Sequence, residues 1–341
     1  MKTAVVLFNL GGPDDLKAVE PFLFNLFSDP AIITVANPFR WLIAKLISSR
    51  RASKARGIYA QMGGKSPILD LTQQQAQALE ERLVKKGEYK VFVSMRYWHP
   101  MSDIVVKNVA NYKPDKILLL PLYPQFSTTT TGSSFKDWQK QCDKIRLNVP
   151  TSQICCYPNQ NSFIASHARM IREAYWRAAE SGKPRILFSA HGLPEKIIAM
   201  GDPYQYQVEK TVSAIMQILS IDNLDYSVCY QSRVGPMKWI GPSTEEEIER
   251  AGQQRIPLVV VPVAFVSEHS ETLVELDIEY RELAHQAHVP DYQRVSALGI
   301  DDFFIDALTE MVIAKTNTTG ISSDTGERFC LRQFGGCPCK G

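Results

Sequence analysis

Three glutamates, Glu271, Glu275 and Glu279, recur at intervals of four residues. On an α-helix, side chains at this spacing form one stripe that drifts around the helix by about 40° per step. Three like charges on one stripe repel one another unless a cation neutralises them. His269 precedes the stripe, and the apolar run at residues 258–264 predicts a buried strand that leads into it. We interpret the stretch as a helix face that handles a metal ion. A solvated acidic face is the alternative.

A histidine follows another predicted strand. His191 comes directly after the apolar run at residues 185–190. Because its pKa lies near neutrality, an imidazole at a strand end can accept a proton or ligate a metal. The nearby Ser189 suggests a hydrolase dyad, but the sequence lacks the Gly-x-Ser-x-Gly turn of such enzymes. Proton transfer or metal binding is therefore the functional interpretation, and a structural histidine is the alternative.

Three of the seven cysteines, Cys330, Cys337 and Cys339, lie in a Gly- and Pro-containing C-terminal segment. The odd number of cysteines, in a chain without a signal-peptide pattern, argues against a disulfide framework. Three thiolates at this spacing favour a soft metal, and a four-coordinate site needs one further ligand. A structural zinc site and unmodified thiols are both compatible with the spacing alone.

Strand-like and helix-like segments alternate along two successive halves of the chain. Strands are predicted at residues 3–10, 89–95, 116–121 and 153–157, and again at residues 185–190, 226–230, 258–264 and 292–296. Helical patterns between them predict parallel sheets with right-handed crossovers. We therefore expect an α/β fold of two similar Rossmann-like domains, each a four-stranded parallel sheet flanked by helices, with a cleft between them. The polar residues named above would lie at the carboxyl ends of strands, where such sheets bind ligands.

The predicted domains cover residues 1–160 and 161–310, and residues 311–341 form a C-terminal extension with the cysteine motif. Residues 29–66 interrupt the first domain with an apolar segment followed by a basic one. This insertion could form a lip that covers a ligand pocket. Its apolar and basic residues at 38–56 are also typical of a segment that contacts a membrane surface. An ordinary packed helix is the alternative.

Composition excludes several classes of protein. A formal net charge of +2 over 341 residues gives no general attraction to nucleic acid. No apolar stretch reaches membrane-spanning length, and the N-terminus carries no signal or transit pattern. We expect a cytoplasmic protein, with peripheral membrane association through the lip as a further possibility.

Seven motifs occur together in an order that resembles the ferrochelatases. They are NLGGP at 9–13, MRYWHP at 95–100, TGSS at 131–134, FSAHGLP at 188–194, GDPY at 201–204, QSRVGPMKWIGP at 231–242 and SEHSETLVELDIEY at 267–280. The resemblance spans about residues 3–310 and is more specific than any one motif. It implies insertion of ferrous iron into protoporphyrin IX to form haem, and the class I chelatase fold of two Rossmann-like domains.

The resemblance implies roles for the residues identified above. His191 would face the pyrrole nitrogens as base or iron ligand, Glu271 would lie opposite it, and Glu275 and Glu279 would continue an acidic row. Ferrous iron is then a substrate, and insertion releases two protons. Carboxylates and imidazole suit an ion that must be released, whereas a closed thiolate site would retain it.

Substrate contacts are also implied by the resemblance. The positions expected to line and bend the macrocycle are Leu10, Tyr97, Trp239 and Phe265, and those expected to meet the propionates are Arg51, Lys54, Tyr59 and Ser66, with Arg96 as a pocket arginine. Bending the substrate toward its transition state is strain drawn from remote binding energy. Core packing is the alternative for the aromatic positions.

The C-terminal cysteines resemble those of ferrochelatases, bacterial ones included, that hold a 2Fe-2S cluster. The resemblance implies Cys330, Cys337 and Cys339 as ligands, with Cys156 as the internal ligand and Cys155 as its rival. The sequence departs from the animal pattern, because residues 127–128 contain no cysteine. In this interpretation the tail folds back on the first domain.

Three rival functions remain at this point. A ferrochelatase acting on coproporphyrin III and a cobalt chelatase of the same fold are the nearest, and the long basic lip favours protoporphyrin. A haem or metal carrier without turnover is the rival from another class. A monomer and a homodimer are both compatible with the sequence.

Overall fold

The structure, a computed structural model, describes residues 1–233 and 237–340. The chain forms two compact units. Unit 1 comprises Met1–Cys156, Leu308–Phe329 and Pro338–Gly341, and unit 2 comprises Tyr157–Ala307 and Cys330–Cys337. Each unit is built around one parallel sheet flanked by helices, which confirms the predicted α/β class.

Unit 1 contains a five-stranded parallel sheet in the order β2-β1-β3-β4-β9. Its elements are β1 (Lys2–Asn9), α1 (Val19–Phe27), α2 (Phe39–Ala60), α3 (Ile68–Leu83), β2 (Glu88–Met95), α4 (Ser102–Tyr112), β3 (Lys116–Pro121), α5 (Thr131–Ile145) and β4 (Thr151–Ile154), with β9 (Gly320–Ser322) from the end of the chain. Strands β1 and β3 are almost wholly buried. Their apolar runs are typical of central parallel strands.

The prediction of four strands in the first sheet was wrong. β9, from the segment that we separated as a C-terminal extension, pairs with β4 as a fifth strand through Gln153 and Ile321. The pairing covers backbone groups that the edge of β4 would otherwise leave open. A strand of three residues, Gly-Ile-Ser, is too short to show a periodic pattern in the sequence.

Unit 2 contains the predicted four-stranded parallel sheet, in the order β6-β5-β7-β8. Its elements are α6 (Asn161–Ala178), β5 (Arg185–His191), α7 (Glu195–Ala199), α8 (Tyr204–Leu219), β6 (Asp225–Gln231), α9 (Thr244–Gln253), β7 (Leu258–Pro262), α10 (Tyr280–Gln286) and β8 (Tyr292–Arg294); α11 (Asp302–Lys315) follows. In the register of β5 and β6, His191 pairs with Gln231. The carboxyl ends of these strands therefore bring two functional side chains to one edge of the sheet.

The predicted α-helix that carries the three glutamates is a π-helix at Glu271–Glu279, continued by α10. Its i→i+5 hydrogen bonds widen the turn, so side chains four residues apart do not follow the stripe expected for an α-helix. Leu276 is fully buried against Leu187 and Val260 of the sheet. Burial of one such leucine stabilises a fold by roughly 1.5–3 kcal/mol relative to exposure, so this contact fixes the face that the helix turns to the strand ends.

The insertion in unit 1 is one helix of 22 residues, α2. Its first turns expose an apolar group composed of Phe39, Trp41, Leu42 and Leu46. Glu20 of α1 holds the other side of α2 through Lys45 at 3.3 Å and Arg56 at 3.7 Å. Within the part of the chain that the structure describes, no helix is both long and apolar enough to cross a membrane.

Candidate functional site

His191 and Glu271 form the centre of the candidate site in unit 2. Nδ1 of His191 lies 2.8 Å from Oε2 of Glu271. His191 ends β5, and Glu271 begins the π-helix that follows the neighbouring strand β7. The His191 side chain keeps 38% of its surface exposed and that of Glu271 keeps 25%. Both groups are therefore in direct contact with each other and still accessible to a ligand.

Each member of this pair favours the charged form of the other. Burial alone lowers the pKa of His191, but the negative charge of Glu271 and its hydrogen bond outweigh burial and raise that pKa. Burial alone raises the pKa of Glu271, whereas the charge and hydrogen bond of His191 bring it well below its usual range. The pair is therefore an imidazolium–carboxylate ion pair that carries one proton.

Glu275 lies beside Glu271 and is held by four donors. It accepts hydrogen bonds from the backbone N–H of Ser232 at 2.9 Å and its hydroxyl at 2.6 Å, from Gln231 Nε2 at 3.0 Å and from the Tyr280 hydroxyl at 3.1 Å. Burial and the charge of Glu271 nevertheless raise the pKa of Glu275. A second negative charge at this position is thus costly, and an arriving cation would relieve that cost.

Gln231 orders both carboxylates. Its side chain is fully buried, its oxygen accepts from the Ser189 hydroxyl at 2.8 Å, and its nitrogen donates to the Glu271 carbonyl at 3.0 Å as well as to Glu275. Sequence reasoning did not assign Gln231 or Ser232 to the site. Their position at the carboxyl end of β6 is the sequence feature that could have identified them as site residues.

His269 and Phe265 occupy the loop before the π-helix. His269 Nε2 lies 4.0 Å from Glu271 Oε2, and its ring stands 4.6 Å from the ring of Phe265, centroid to centroid. Burial lowers the pKa of His269, against the opposing charges of Glu271 and Glu268. His269 is therefore a neutral, buried neighbour of the charged pair, and Phe265 borders it.

Trp239 and Glu279 lie at the two ends of this region. A side chain added at Gly192 would stand 3.4 Å from the Trp239 ring and 2.9 Å from the Gln231 carbonyl, so Trp239 packs closely beside the residue after His191. Glu279 is exposed at the far end of the π-helix. Residues 234–236 of the motif at 231–242 lie outside the described residues.

The predicted substrate positions of unit 1 differ in burial. Leu10 is half-buried against a cluster that includes Tyr59 and Tyr97, and Tyr97 is 1% exposed. Arg51 and Lys54 lie on the exposed face of α2. Ser66 is buried, and a side chain added at Gly12 would collide with it. Arg96 is mostly buried in an ion pair with Asp29 at 2.8 Å.

All seven cysteines are buried, and all lie outside disulfide bonds. Cys155, Cys156 and Cys339 belong to unit 1, whereas Cys330 and Cys337 belong to unit 2. The sulfurs of Cys155 and Cys156 are 3.8 Å apart. Across residues 1–233 and 237–340, no group of three or more His, Cys, Asp or Glu side chains is arranged to hold a metal ion.

The surroundings of these sulfurs nevertheless fit an anionic group. Gln207 Nε2 donates to the sulfur of Cys330 at 3.0 Å, and both residues are buried. Burial lowers the pKa of Lys315, which is 4% exposed, and the charges of Asp324, Cys155 and Cys339 oppose that lowering. A donated N–H and a buried cation both stabilise thiolate or cluster charge.

Solved structures that share this parallel α/β fold include chelatase-like proteins. SirB from Bacillus subtilis, solved with Fe3+, matches with a TM-score of 0.54 and 13% identity, covering 93% of this chain and 96% of that one. DR2241 from Deinococcus radiodurans, described as a multi-domain protein with structural similarity to chelatases, matches with a TM-score of 0.52 and 11% identity, covering 95% of this chain and 56% of that one. At these identities the likeness concerns the fold alone.

Sequence comparison identifies the family. The ferrochelatase family model matches residues 2–316. Ferrochelatase of Pelagibacter ubique is 49% identical, covering 99% of each chain, and that of Caulobacter vibrioides is 52% identical, covering 99% of this chain and 98% of that one. The chain belongs to the ferrochelatase family. The predicted activity, insertion of iron into a porphyrin to give haem, and its class, a lyase, are confirmed.

Proposed function

We propose that this chain inserts ferrous iron into protoporphyrin IX, with His191 and Glu271 as the groups that receive the pyrrole protons and guide the metal. The 2.8 Å contact of an exposed imidazole with a carboxylate at the strand ends carries the proposal. Metallation removes two N–H protons from the ring, so the site must hold a proton acceptor beside the metal. Neutral His191 accepts one of these protons, and it passes that proton to water before it accepts the second.

The charges of the site couple metal arrival to proton transfer. The charge and hydrogen bond of Glu271 raise the pKa of His191 and so favour its protonated form. A divalent cation beside Glu271 and Glu275 replaces the imidazolium as the partner of the carboxylates, and its charge lowers the pKa of His191. His191 then passes its proton to water and becomes the base as iron arrives. Oxygen and nitrogen donors hold Fe2+ weakly enough for transfer to the porphyrin.

Glu275 and Glu279 extend the proposed metal path. Glu275 is the second carboxylate beside the pair, and Glu279 is the exposed end of the same helix. A cation that enters at Glu279 would move from solvent toward the more buried acids.

We assign porphyrin contacts to both units. Leu10, Trp239 and Phe265 would flank the macrocycle, and the buried Tyr97 would support this face through the cluster on which Leu10 packs. Exposed Arg51 and Lys54 would meet the propionates, because cations and carboxylates form charge-assisted hydrogen bonds. The finer roles of Tyr59, Ser66 and Arg96, and the cleft between the two domains, stay predictions.

We further propose that Cys156, Cys330, Cys337 and Cys339 hold a 2Fe-2S cluster, with Cys155 as the rival internal ligand. A bound cluster would supply one-electron redox capacity and hold the C-terminal tail. The donated hydrogen bond from Gln207 to Cys330 supports this assignment. A structural zinc site is the alternative.

Absorption and electron paramagnetic resonance of the anaerobically purified chain test the cluster. We expect charge-transfer bands that bleach with dithionite and are lost in Cys156→Ser. Cys142→Ser is the matched control, because burial raises the pKa of Cys142 to about 11 and marks it as a neutral core thiol. Retention in Cys156→Ser with loss in Cys155→Ser would reassign the ligand, and a colourless protein that contains zinc would contradict the cluster.

The exposed apolar residues of α2 beside its basic residues support peripheral membrane contact through residues 38–56. Binding to vesicles that contain anionic lipid tests this, and Trp41→Ser with Leu42→Ser should weaken it. Equal binding of the wild-type chain and this variant would contradict the assignment. The cytoplasmic location and the choice between monomer and homodimer stay predictions.

Turnover distinguishes the rival functions. We expect several haem molecules per chain when Fe2+ and protoporphyrin IX are supplied anaerobically, and slower reaction with coproporphyrin III or Co2+. A faster reaction with coproporphyrin III or Co2+ would select the corresponding rival. Formation of no more than one haem per chain would identify a carrier.

A further inference from the structure

A buried carboxylate in unit 1, Asp29, organises the segment that carries Arg96 and Tyr97. Asp29 follows α1 and is 4% exposed. Its Oδ2 accepts hydrogen bonds from Arg96 Nη2 at 2.8 Å, from the Tyr97 hydroxyl at 2.8 Å and from the Ser133 hydroxyl. Its Oδ1 accepts from the backbone N–H of Ala31 at 2.8 Å. Four donors therefore converge on one side chain.

The same network fixes the guanidinium and the phenol relative to each other. Arg96 Nε donates to the Ser133 hydroxyl at 2.7 Å, so Arg96 and Asp29 are linked both directly and through Ser133. The Arg96 guanidinium carbon stands 4.9 Å from the centre of the Tyr97 ring. A buried ion pair with its hydrogen bonds satisfied holds its partners in one geometry, whereas removal of one partner leaves an uncompensated charge.

Tyr97 transmits this geometry to Leu10. The Tyr97 ring belongs to the buried cluster of Val19, Phe22, Leu23 and Tyr59, and Leu10 packs on that cluster. The Tyr97 backbone N–H also donates to the Leu10 carbonyl at 3.0 Å. Tyr97 is therefore linked to the half-buried Leu10 through this backbone hydrogen bond and through the cluster on which Leu10 packs.

We propose that Asp29 is a positioning residue for porphyrin binding, which orients Arg96 and Tyr97 and, through Tyr97, sets the position of Leu10. This inference rests on the proposed function, because Leu10 is a porphyrin contact only there. Asp29 acts on binding rather than on proton transfer, since its contacts all lie within unit 1 and none involves the His191–Glu271 pair. Its loss should therefore raise KM and leave kcat unchanged, the signature of lost uniform binding.

Asp29→Asn tests the proposal, because asparagine keeps the shape but replaces one acceptor oxygen by a donor. We expect the Kd for protoporphyrin IX, measured by fluorescence titration without iron, and the KM to rise about tenfold, as for loss of hydrogen bonds to a charged group. The kcat should stay within about twofold of the wild-type value. Asp70→Asn is the control, since it removes an exposed ion pair with Lys65 in the same unit and should leave Kd unchanged.

Two further variants make each outcome decisive. Leu10→Ala tests the porphyrin face itself: a raised Kd for Leu10→Ala with an unchanged Kd for Asp29→Asn overturns the positioning role alone. An unchanged Kd for both variants contradicts the assignment of Leu10 as a porphyrin contact, and the inference about Asp29 fails with it. If Asp29→Asn does not fold, Ser133→Ala removes one donor to Asp29 and one acceptor from Arg96, leaves the direct ion pair in place, and should raise Kd about twofold to threefold. A lowered unfolding midpoint with an unchanged Kd, in either variant, reduces Asp29 to a structural residue and contradicts the proposal.

Discussion

The two units differ in how far their paired charges are exposed to solvent. In unit 2, His191 and Glu271 are paired yet remain partly exposed, and Glu275 carries a raised pKa beside them. In unit 1, Asp29 and Arg96 are almost wholly buried, and Asp29 is surrounded by donors. Partly exposed charge can exchange protons and cations with a substrate, whereas buried charge with its hydrogen bonds satisfied gives rigid geometry. Under the proposed function, we therefore expect chemistry in unit 2 and positioning in unit 1.

The largest expected effect falls on the chemical region. We expect His191→Ala to lower kcat about a thousandfold, since a positioned general base contributes roughly 10²–10⁴ in rate. The Kd for protoporphyrin IX should change by less than about threefold, because binding is assigned to other residues. Stopped-flow metallation and fluorescence titration measure the two quantities. An equal loss of kcat and of affinity for protoporphyrin IX would contradict the separation between the residues of the chemical step and those of porphyrin binding.

A smaller effect is expected at Glu275. Glu275→Gln keeps the contacts with Ser232 and Tyr280 but removes the charge that a cation would meet. We expect the KM for Fe2+ to rise about tenfold with little change in the KM for porphyrin, in line with the loss of one charge-assisted contact. Glu279→Gln, at the exposed end of the helix, is the comparison and should have a weaker effect. Equal KM values for Fe2+ in wild type and Glu275→Gln would exclude Glu275 from the metal path.

The smallest effect concerns stability. The pKa of His191 is raised by folding, so its pairing stabilises the chain fully below the ordinary histidine pKa and is lost as pH rises through the folded value. The pKa of Glu271 is lowered, so its contribution is present above the ordinary glutamate pKa and is lost as pH falls through the folded value. The difference in unfolding free energy between wild type and His191→Gln should therefore peak near pH 5–6, roughly between these limits. Because His191 is more than a third exposed, we expect less than about 1 kcal/mol.

Urea denaturation of the two proteins across this pH range measures that difference. A difference that grows steadily toward alkaline pH would contradict the ion pair.

The sequence was most informative where residues share a local element. Apolar runs ending in His191 and Gln231 predicted strand ends that meet at one edge of the sheet, and the structure brings His191, Glu271 and Glu275 together there. Such runs act over a few residues, so periodicity alone can reveal them.

Longer-range features were not predictable in this way. Asp29 meets Arg96, Tyr97 and Ser133 across 67, 68 and 104 residues of chain, and no local pattern marks such partners. The π-helix differs from the predicted α-helix in its backbone hydrogen bonds, which side-chain types do not encode. β9 is too short to carry a periodic pattern. Its pairing depends on the edge strand β4, which is distant in the sequence.

The pH dependence of kcat for wild type and Glu271→Gln tests the central claim, that an ion pair with Glu271 controls the protonation of His191. Glutamine keeps the shape of Glu271 without the charge that raises the pKa of His191. We predict that kcat falls overall in Glu271→Gln. On the acid side of the pH profile, kcat rises as His191 loses its proton, and this rise should move to lower pH in the variant. A rise at the same pH in both proteins would contradict this claim.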